Sequence, residues 1–278
     1  MGASVNSAKE LNQSFANYSN HVTYSVVTRP ESIVPNSLLK EAEAIRLLIE
    51  GLKLEEVIIA GHSEGANKAV DLVSLLQRKN PEIKVRGLIL FDMVGLHDQD
   101  GWKLALDFAG DTLVDTLPDN LLREKRGSLS KRAISTVGAG FDLARGLVNE
   151  VKLSGLKYPE RLTSQIRDMA GKNPRIGEIT SPVVLISGAK DPISSRERIV
   201  PEAEEDKATK AFLQSLNSDS PKRDPREVYL NAYLFRKSPY FRMVVPDHFG
   251  HHGLPLFRPE SVAKASLYLL KRYWRNLK

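Results

Sequence analysis

Three kinds of side chain that together perform nucleophilic catalysis follow one another along the sequence. Ser63 stands between two glycines in GHSEG (61–65), Asp191 lies in the turn GAKDP (188–192), and histidines cluster in PDHFGHHG (246–253). A serine hydroxyl is a weak nucleophile unless a base removes its proton and an acid orients that base. The order serine, aspartate, histidine therefore predicts a catalytic triad.

The residues around Ser63 are typical of a sharp turn from a strand into a helix. The apolar run VIIA precedes the turn and a helix-compatible segment follows it. Such a turn strains the serine backbone and needs small neighbours, which Gly61 and Gly65 supply. The helix that follows presents N–H groups and a positive dipole end to a developing oxyanion. We therefore predict Ser63 as the nucleophile and the N–H of Glu64 as an oxyanion donor, with the Glu64 side chain facing solvent or the helix face.

Strands and helices alternate along the sequence. β-branched and apolar runs predict strands, and apolar residues at helical spacing predict helices. The predicted strands span about 21–28, 56–60, 85–91, 182–187 and 241–245, and the predicted helices span about 8–18, 37–52, 66–78 and 260–276. This alternation indicates an α/β fold, a mostly parallel sheet with helices on both faces.

The segment 97–179 interrupts this alternation, because it contains several amphipathic helical patterns and no convincing strand. We expect residues 1–96 and 180–278 to form one α/β core into which 97–179 is inserted as a helical cap.

The sequence resembles the α/β-hydrolases of the esterase and lipase type. The matching stretches are VIIAGHSEG, PVVLISGAKDPIS and MVVPDHFGHHGLPLFRPESV. The resemblance implies Ser63 as nucleophile, Asp191 as acid and a histidine near position 251 as base. It also implies that the 97–179 segment is the cap or lid, and that neither a metal ion nor an organic cofactor is required.

Two of these roles have rival residues. Members of the family often carry Gly-His in the histidine loop, which favours His251 over His252 and His248. Some members place the acid after an earlier strand, where this chain has Asp92. The GxxDP turn favours Asp191, and Asp92 is then expected to cap a turn or line the pocket.

The resemblance also predicts a substrate pocket. His62 beside the nucleophile, and apolar cap residues such as Trp102 and Phe108, are candidates for lining it. An apolar lining favours an acyl or alkyl group, although most apolar cap residues at helical spacing are expected to form the core of the cap.

The beginning of the chain departs from the family pattern. The family carries about three strands before its first helix, whereas only one strand is predicted here before the strand that leads to Ser63. The opening MGASVNSAKE resembles the end of an oxyanion loop, so Ala3 or Gly2 is a candidate second donor. The early N-terminal strands are therefore expected to be missing.

Composition excludes several other classes of protein. The chain has 278 residues, 41% hydrophobic and 27% charged, which is ordinary globular composition, and its lack of cysteine excludes disulfides and thiolate catalysis. The net charge of +6 is spread along the chain, so no nucleic-acid partner is expected. No apolar run approaches a membrane span and no signal peptide is visible, which favours a cytoplasmic location.

Two functions remain open at this level. The first is a serine hydrolase that cleaves a small-molecule carboxylic ester or related acyl compound. The second is a non-catalytic binding protein, or an inactive remnant, on the same fold. Neither the leaving group nor the oligomeric state follows from the sequence.

Overall fold

A parallel sheet of four strands forms the centre of the described structure. The computed structural model describes residues 5–19, 22–24, 26, 38–96, 98, 100–101, 170–189, 191, 225–246 and 259–277. The strands lie side by side in chain order, and each pairs in parallel with the next. They are β1 (Glu56–His62), β2 (Lys84–Phe91), β3 (Val183–Ile186) and β4 (Phe241–Val244). All four carboxyl ends therefore lie at one edge of the sheet.

Helices precede, connect and follow these strands. They are α1 (Val5–Tyr18), α2 (Leu38–Gly51), α3 (Glu64–Lys79), a 3₁₀ turn (Ile176–Glu178), α4 (Pro225–Tyr229), which continues as a π-helical turn (Leu230–Leu234), and α5 (Pro259–Arg275).

Both faces of the sheet are covered, and β2 shows how. Successive side chains of a strand point to opposite faces. Leu88 packs in one apolar cluster with Val70 of α3, whereas the next residue, Ile89, packs with Leu270 of α5. A third cluster joins α2 to the outer side of α3 through residues such as Ala42. The prediction of a parallel sheet with helices on both faces is confirmed.

Most predicted elements are present with slightly different ends, but the strand predicted over 21–28 is wrong where the structure describes it. Residues 22–24 and 26 are not in a strand. The hydroxyl of Thr23 instead donates a hydrogen bond to the carbonyl of Asn12 in α1, at 3.4 Å. β-branched residues favour a strand only when a neighbouring strand and a buried face are available. Here the described part of the segment lies against a helix.

No helix within the described ranges combines the length and the apolar character that crossing a membrane requires.

Candidate active site

Ser63 is the single residue between β1 and α3. Its backbone has φ 55° and ψ −119°, a conformation that residues with a side chain rarely adopt and that costs about 1–3 kcal/mol. The side chain is half-buried. The turn at the carboxyl end of β1 therefore holds this serine in a strained conformation, as the sequence predicts.

Backbone hydrogen bonds on both sides keep Ser63 in place. Its N–H donates to the carbonyl of Phe91 at the end of β2, at 2.9 Å, and its own carbonyl accepts from the N–H of Ala66 at 3.0 Å. The sheet therefore fixes one side of the residue and the first turn of α3 fixes the other, which is how a strained residue persists.

The two glycines of the turn are not equivalent. A Cβ added to Gly61 would overlap the carbonyl of Gly65 and lie 2.8 Å from the Cα of Ala66, whereas a Cβ on Gly65 would meet nothing within 4 Å. The expectation that both positions must be small is correct for Gly61 and wrong for Gly65. Close approach of the helix backbone to the end of β1 is what requires glycine at position 61.

The first residue of α3 is Glu64, whose N–H lies beside Ser63. The first N–H groups of a helix have no acceptor within the helix and point along its positive dipole end. This geometry suits an oxyanion donor.

The side chain of Glu64 does not face solvent, which was one of its two predicted orientations. It is buried, with 8% of the residue exposed, and its Oε1 lies 2.7 Å from the Nζ of Lys68 on the same helix. Burial by itself raises the pKa of the Glu64 carboxyl, but nearby positive charge, including that of Lys68, outweighs burial and leaves the pKa below its usual value. The i,i+4 spacing of the two residues was a signal for this pair in the sequence.

Asp191 lies just beyond β3 and is 1% exposed. Its N–H donates to the carbonyl of Gly188 at 3.0 Å, and the N–H of Ala189 donates to the carbonyl of Pro246 at 3.0 Å. The turn that carries Asp191 is therefore bonded to the chain beyond β4, two residues before His248.

Asp92, the rival acid, lies at the end of β2 and is fully buried. Its φ is 44°, and its Oδ1 accepts a hydrogen bond from the N–H of Gly188 at 2.9 Å. Its Oδ2 lies 3.8 Å from the Nε2 of His62. Asp92 thus supports the turn that carries Asp191 and contacts the residue before Ser63.

The carboxyl edge of the sheet brings Ser63, Asp92 and Asp191 together. β1 and β3 lie on either side of β2, so their axes are separated by two strand spacings, about 10 Å. The other predicted site residues lie outside the described residues. They are His251 with its alternatives His248 and His252, Ala3, Trp102 and Phe108.

A buried polar cluster beside the site was missed from the sequence. The Nδ2 of Asn173 donates to the Oδ1 of Asp71 in α3 at 3.0 Å, and the backbone N–H of Asn173 donates to the carbonyl of Gly95 at 2.9 Å. Burial raises the pKa of Asp71, although Asn173 and Arg175 both favour its charged form. The cluster joins α3 to Gly95, just before the 97–179 segment, and to Asn173 near the end of that segment.

The two ends of that segment meet directly. The backbone N–H of Lys172 donates to the Oδ1 of Asp98 at 2.8 Å, next to the bond between Asn173 and Gly95. The chain therefore leaves the sheet after β2 and returns at the same place before β3.

Comparison with solved structures identifies the fold. The chain aligns with a bacterial membrane phospholipase A described as a virulence factor, with a TM-score of 0.55 and 16% identity over 98% of this chain and 76% of that one. It aligns with an α/β-hydrolase from a Medee basin deep-sea metagenome library with a TM-score of 0.53 and 14% identity, over 96% and 85% of the two chains. A serine hydrolase from Cycloclasticus zankles gives a TM-score of 0.52 and 14% identity, over 99% and 87%.

The chain has the α/β-hydrolase fold, which confirms the resemblance found in its sequence. No protein-family model matches the sequence, and no curated protein matches it significantly.

Proposed function

We propose that the protein is a serine hydrolase that cleaves a carboxylic ester or a related acyl compound. The observation that carries this proposal is the backbone of Ser63. A non-glycine residue with φ 55° is held between the end of β1 and the start of α3, where its hydroxyl and the N–H of Glu64 can act on one carbonyl group. A turn that needed only to be tight would place glycine there.

Asp191 is proposed as the acid of the triad and His251 as its base. The supporting contact is the hydrogen bond between Ala189 and Pro246, since it brings the start of the histidine segment beside the turn that carries Asp191. The ends of β1 and β3, which precede Ser63 and Asp191, lie two strand spacings or about 10 Å apart, which supports placing an imidazole between the two residues. His252 and His248 are the alternatives.

The reaction then follows the acyl-enzyme route. The Oγ of Ser63 attacks the substrate carbonyl carbon while His251 takes the hydroxyl proton, and the N–H of Glu64 stabilises the oxyanion. The imidazolium, oriented by Asp191, gives its proton to the leaving group. Water activated by the same histidine then attacks the acyl carbon, and Ser63 leaves with the proton.

The 97–179 segment is proposed as the cap that shapes the substrate pocket, with Trp102, Phe108 and His62 lining it. Its supporting feature is the bond between Asp98 and Lys172, because an inserted segment leaves and re-enters the core at one place. The solved structures that share the fold include a phospholipase A and a serine hydrolase, which favours an ester substrate with an apolar acyl group. A small-molecule substrate and a cytoplasmic location remain part of the proposal.

The alternative is a binding protein on the same fold that performs no chemistry. It predicts that ligand affinity, and not turnover, depends on the residues at the carboxyl edge of the sheet. The strained conformation of Ser63 favours the enzyme, since strain of this kind concentrates at sites of chemistry.

Hydrolysis of p-nitrophenyl esters with acyl chains from two to twelve carbons would test the proposal. The wild type is expected to hydrolyse at least one ester, and Ser63→Ala to lower kcat by about 10⁴-fold or more. Ser14→Ala, which removes a hydroxyl that bonds the carbonyl of Glu10 in α1, is the matched control and should keep its activity. Equal rates for wild type and Ser63→Ala would contradict the proposal.

A further inference from the structure

Asn173 is the centre of a buried polar cluster that also contains Asn67, Asp71 and Gly95, and which we name the Asn173 cluster. The side chains belong to buried residues, with Asn67 1%, Asp71 4% and Asn173 8% exposed. The Nδ2 of Asn173 lies 3.0 Å from the Oδ1 of Asp71. It also lies 3.4 Å from both the Oδ1 and the backbone carbonyl of Asn67. One amide group therefore contacts two successive turns of α3.

The rest of Asn173 is bonded as well. Its backbone N–H donates to the carbonyl of Gly95 at 2.9 Å, and its Oδ1 accepts a hydrogen bond from the N–H of Arg175 at 2.9 Å. An amide turned by 180° would set its oxygen against Asp71 and its NH₂ against the N–H of Arg175. The surrounding donors and acceptors therefore fix one orientation of this side chain.

The chain after β2 packs tightly against the cluster. Gly95 has φ 75°, and a Cβ added to it would lie 2.7 Å from the Nδ2 and 2.8 Å from the Oδ1 of Asn67. The backbone at Gly95 thus lies directly on the Asn67 side chain. A buried polar group with satisfied hydrogen bonds and close packing favours a single arrangement of the parts it joins.

The position of the cluster relates it to the proposed nucleophile. Asn67 and Asp71 lie one and two turns along the helix that follows Ser63, about 6 and 12 Å from it along the helix axis. Gly95 and Asn173 lie just before the 97–179 segment and near its end. The cluster therefore fixes both ends of that segment to the helix that starts beside Ser63.

We propose that Asn173 is a positioning residue that holds the 97–179 segment at a constant place relative to Ser63, and thereby sets which acyl chain lengths the site binds. The inference rests on the proposed function, in which this segment shapes the pocket for the acyl group. Asn173 itself does not touch the substrate. It acts on binding of the acyl chain and leaves the chemistry at Ser63 unchanged.

α3 contains a matched control at its other end. Asn80 is the C-terminal cap residue of α3 and is 5% exposed. Its Oδ1 accepts a hydrogen bond from Arg46, and its Nδ2 donates to Glu82. Asn80→Leu removes a buried, bonded amide from the same helix without changing the contacts at the ends of the 97–179 segment.

The test measures kcat and KM for p-nitrophenyl esters with acyl chains from two to twelve carbons. Asn173→Leu has a side chain of similar size that cannot donate. It is expected to raise KM about tenfold for the ester that the wild type binds best, because contacts with the acyl chain are lost. Its kcat for the acetyl ester, whose chain is short, should stay within about twofold of wild type. Asn80→Leu should keep the wild-type dependence of KM on chain length.

Exchange of the two polar partners tests the contact itself. Asn173→Asp places a second carboxylate against Asp71 and should raise the same KM about tenfold at about pH 8, because like charges in a buried site repel. Adding Asp71→Asn exchanges donor and acceptor, and should return KM to within about threefold of wild type. If Asn173→Leu does not fold, this pair of variants carries the test.

Three results would overturn the proposal. They are a wild-type dependence of KM on chain length in folded Asn173→Leu, the same change in Asn80→Leu, and no recovery when Asp71→Asn is added to Asn173→Asp. A purely structural role would instead lower the activity on short and long esters alike, and this result also overturns it. An inactive wild type would contradict the proposed function, so the two failures are distinguishable.

Discussion

Ser63 and Asp92 directly follow neighbouring strands and share a positive φ, but their side chains have different surroundings. Both have positive φ, 55° and 44°, at the carboxyl ends of β1 and β2. Ser63 is half-buried at the start of a helix, whereas Asp92 is fully buried and accepts a hydrogen bond from Gly188. A strained residue at a strand end is therefore not sufficient to define a reacting group.

The surroundings of the two residues decide what each can do. Asp92 supports the turn that begins at Gly188 by accepting its N–H, and aspartate tolerates positive φ better than most residues. Ser63 is followed at once by helix N–H groups, and its conformation is favourable only for glycine. The strain at Ser63 lowers the stability of the fold and places a hydroxyl beside the start of α3. The side chain of Asp92 instead stabilises the neighbouring turn.

The largest expected effect is on kcat, and it distinguishes Asp191 from Asp92. Asp191→Asn should lower kcat by about 10⁴-fold, because the amide orients the base in the wrong tautomer. Asp92→Asn should lower kcat by less than about tenfold, since its amide oxygen can still accept the Gly188 hydrogen bond. Ester hydrolysis at saturating substrate measures both. The opposite ranking would make Asp92 the acid of the triad and remove the contrast.

A smaller effect is expected from the glycines of the serine turn. Gly61→Ala should lower the free energy of unfolding by about 3 kcal/mol, because its Cβ would overlap the backbone of α3. Gly65→Ala is the matched control and should change it by less than about 1 kcal/mol, as its Cβ has open space. Urea unfolding measures both values. Equal destabilisation by the two variants would show that close approach at Gly61 is not what shapes the turn.

The smallest expected effect concerns the strain itself. Ser63→Gly should be more stable than Ser63→Ala by about 1 kcal/mol, because glycine adopts positive φ without strain, an effect partly offset by its greater freedom in the unfolded chain. Asp92→Gly should be less stable than wild type by about 1–3 kcal/mol, since it leaves the N–H of Gly188 without its acceptor. Thermal or urea unfolding measures these differences. A Ser63→Gly variant that is less stable than Ser63→Ala, or an Asp92→Gly variant as stable as wild type, would contradict the comparison.

The sequence predicted the sheet and the serine turn well because their signals are local. The apolar runs of β1 to β4 are continuous in the sequence, and the atoms that require glycine at position 61 belong to residues 65 and 66. The segment 21–28 has a strand-like composition, yet its described residues are not in a strand and Thr23 bonds to α1. Composition cannot show whether a partner strand is available.

The missed parts of the site depend on contacts between distant parts of the chain. Glu64 was expected to face solvent or the helix face, and its pair with Lys68 follows from their i,i+4 spacing, whereas the contact between Lys68 and Glu41 of α2 has no signal in the sequence. Asn173 joins Asp71 from 102 positions away, a contact that no spacing rule predicts. The assignment of His251 as the base stays a prediction, as do the roles of Trp102, Phe108 and Ala3.

Covalent labelling with an uncharged fluorophosphonate tests the central claim most directly, because only an activated serine reacts with it rapidly. The account predicts that the folded protein forms an adduct that peptide mass spectrometry locates on Ser63, and that Ser63→Ala and heat-denatured protein form none. A folded wild type that remains unlabelled, or an adduct on another residue that persists in Ser63→Ala, would contradict the assignment of Ser63 as the nucleophile.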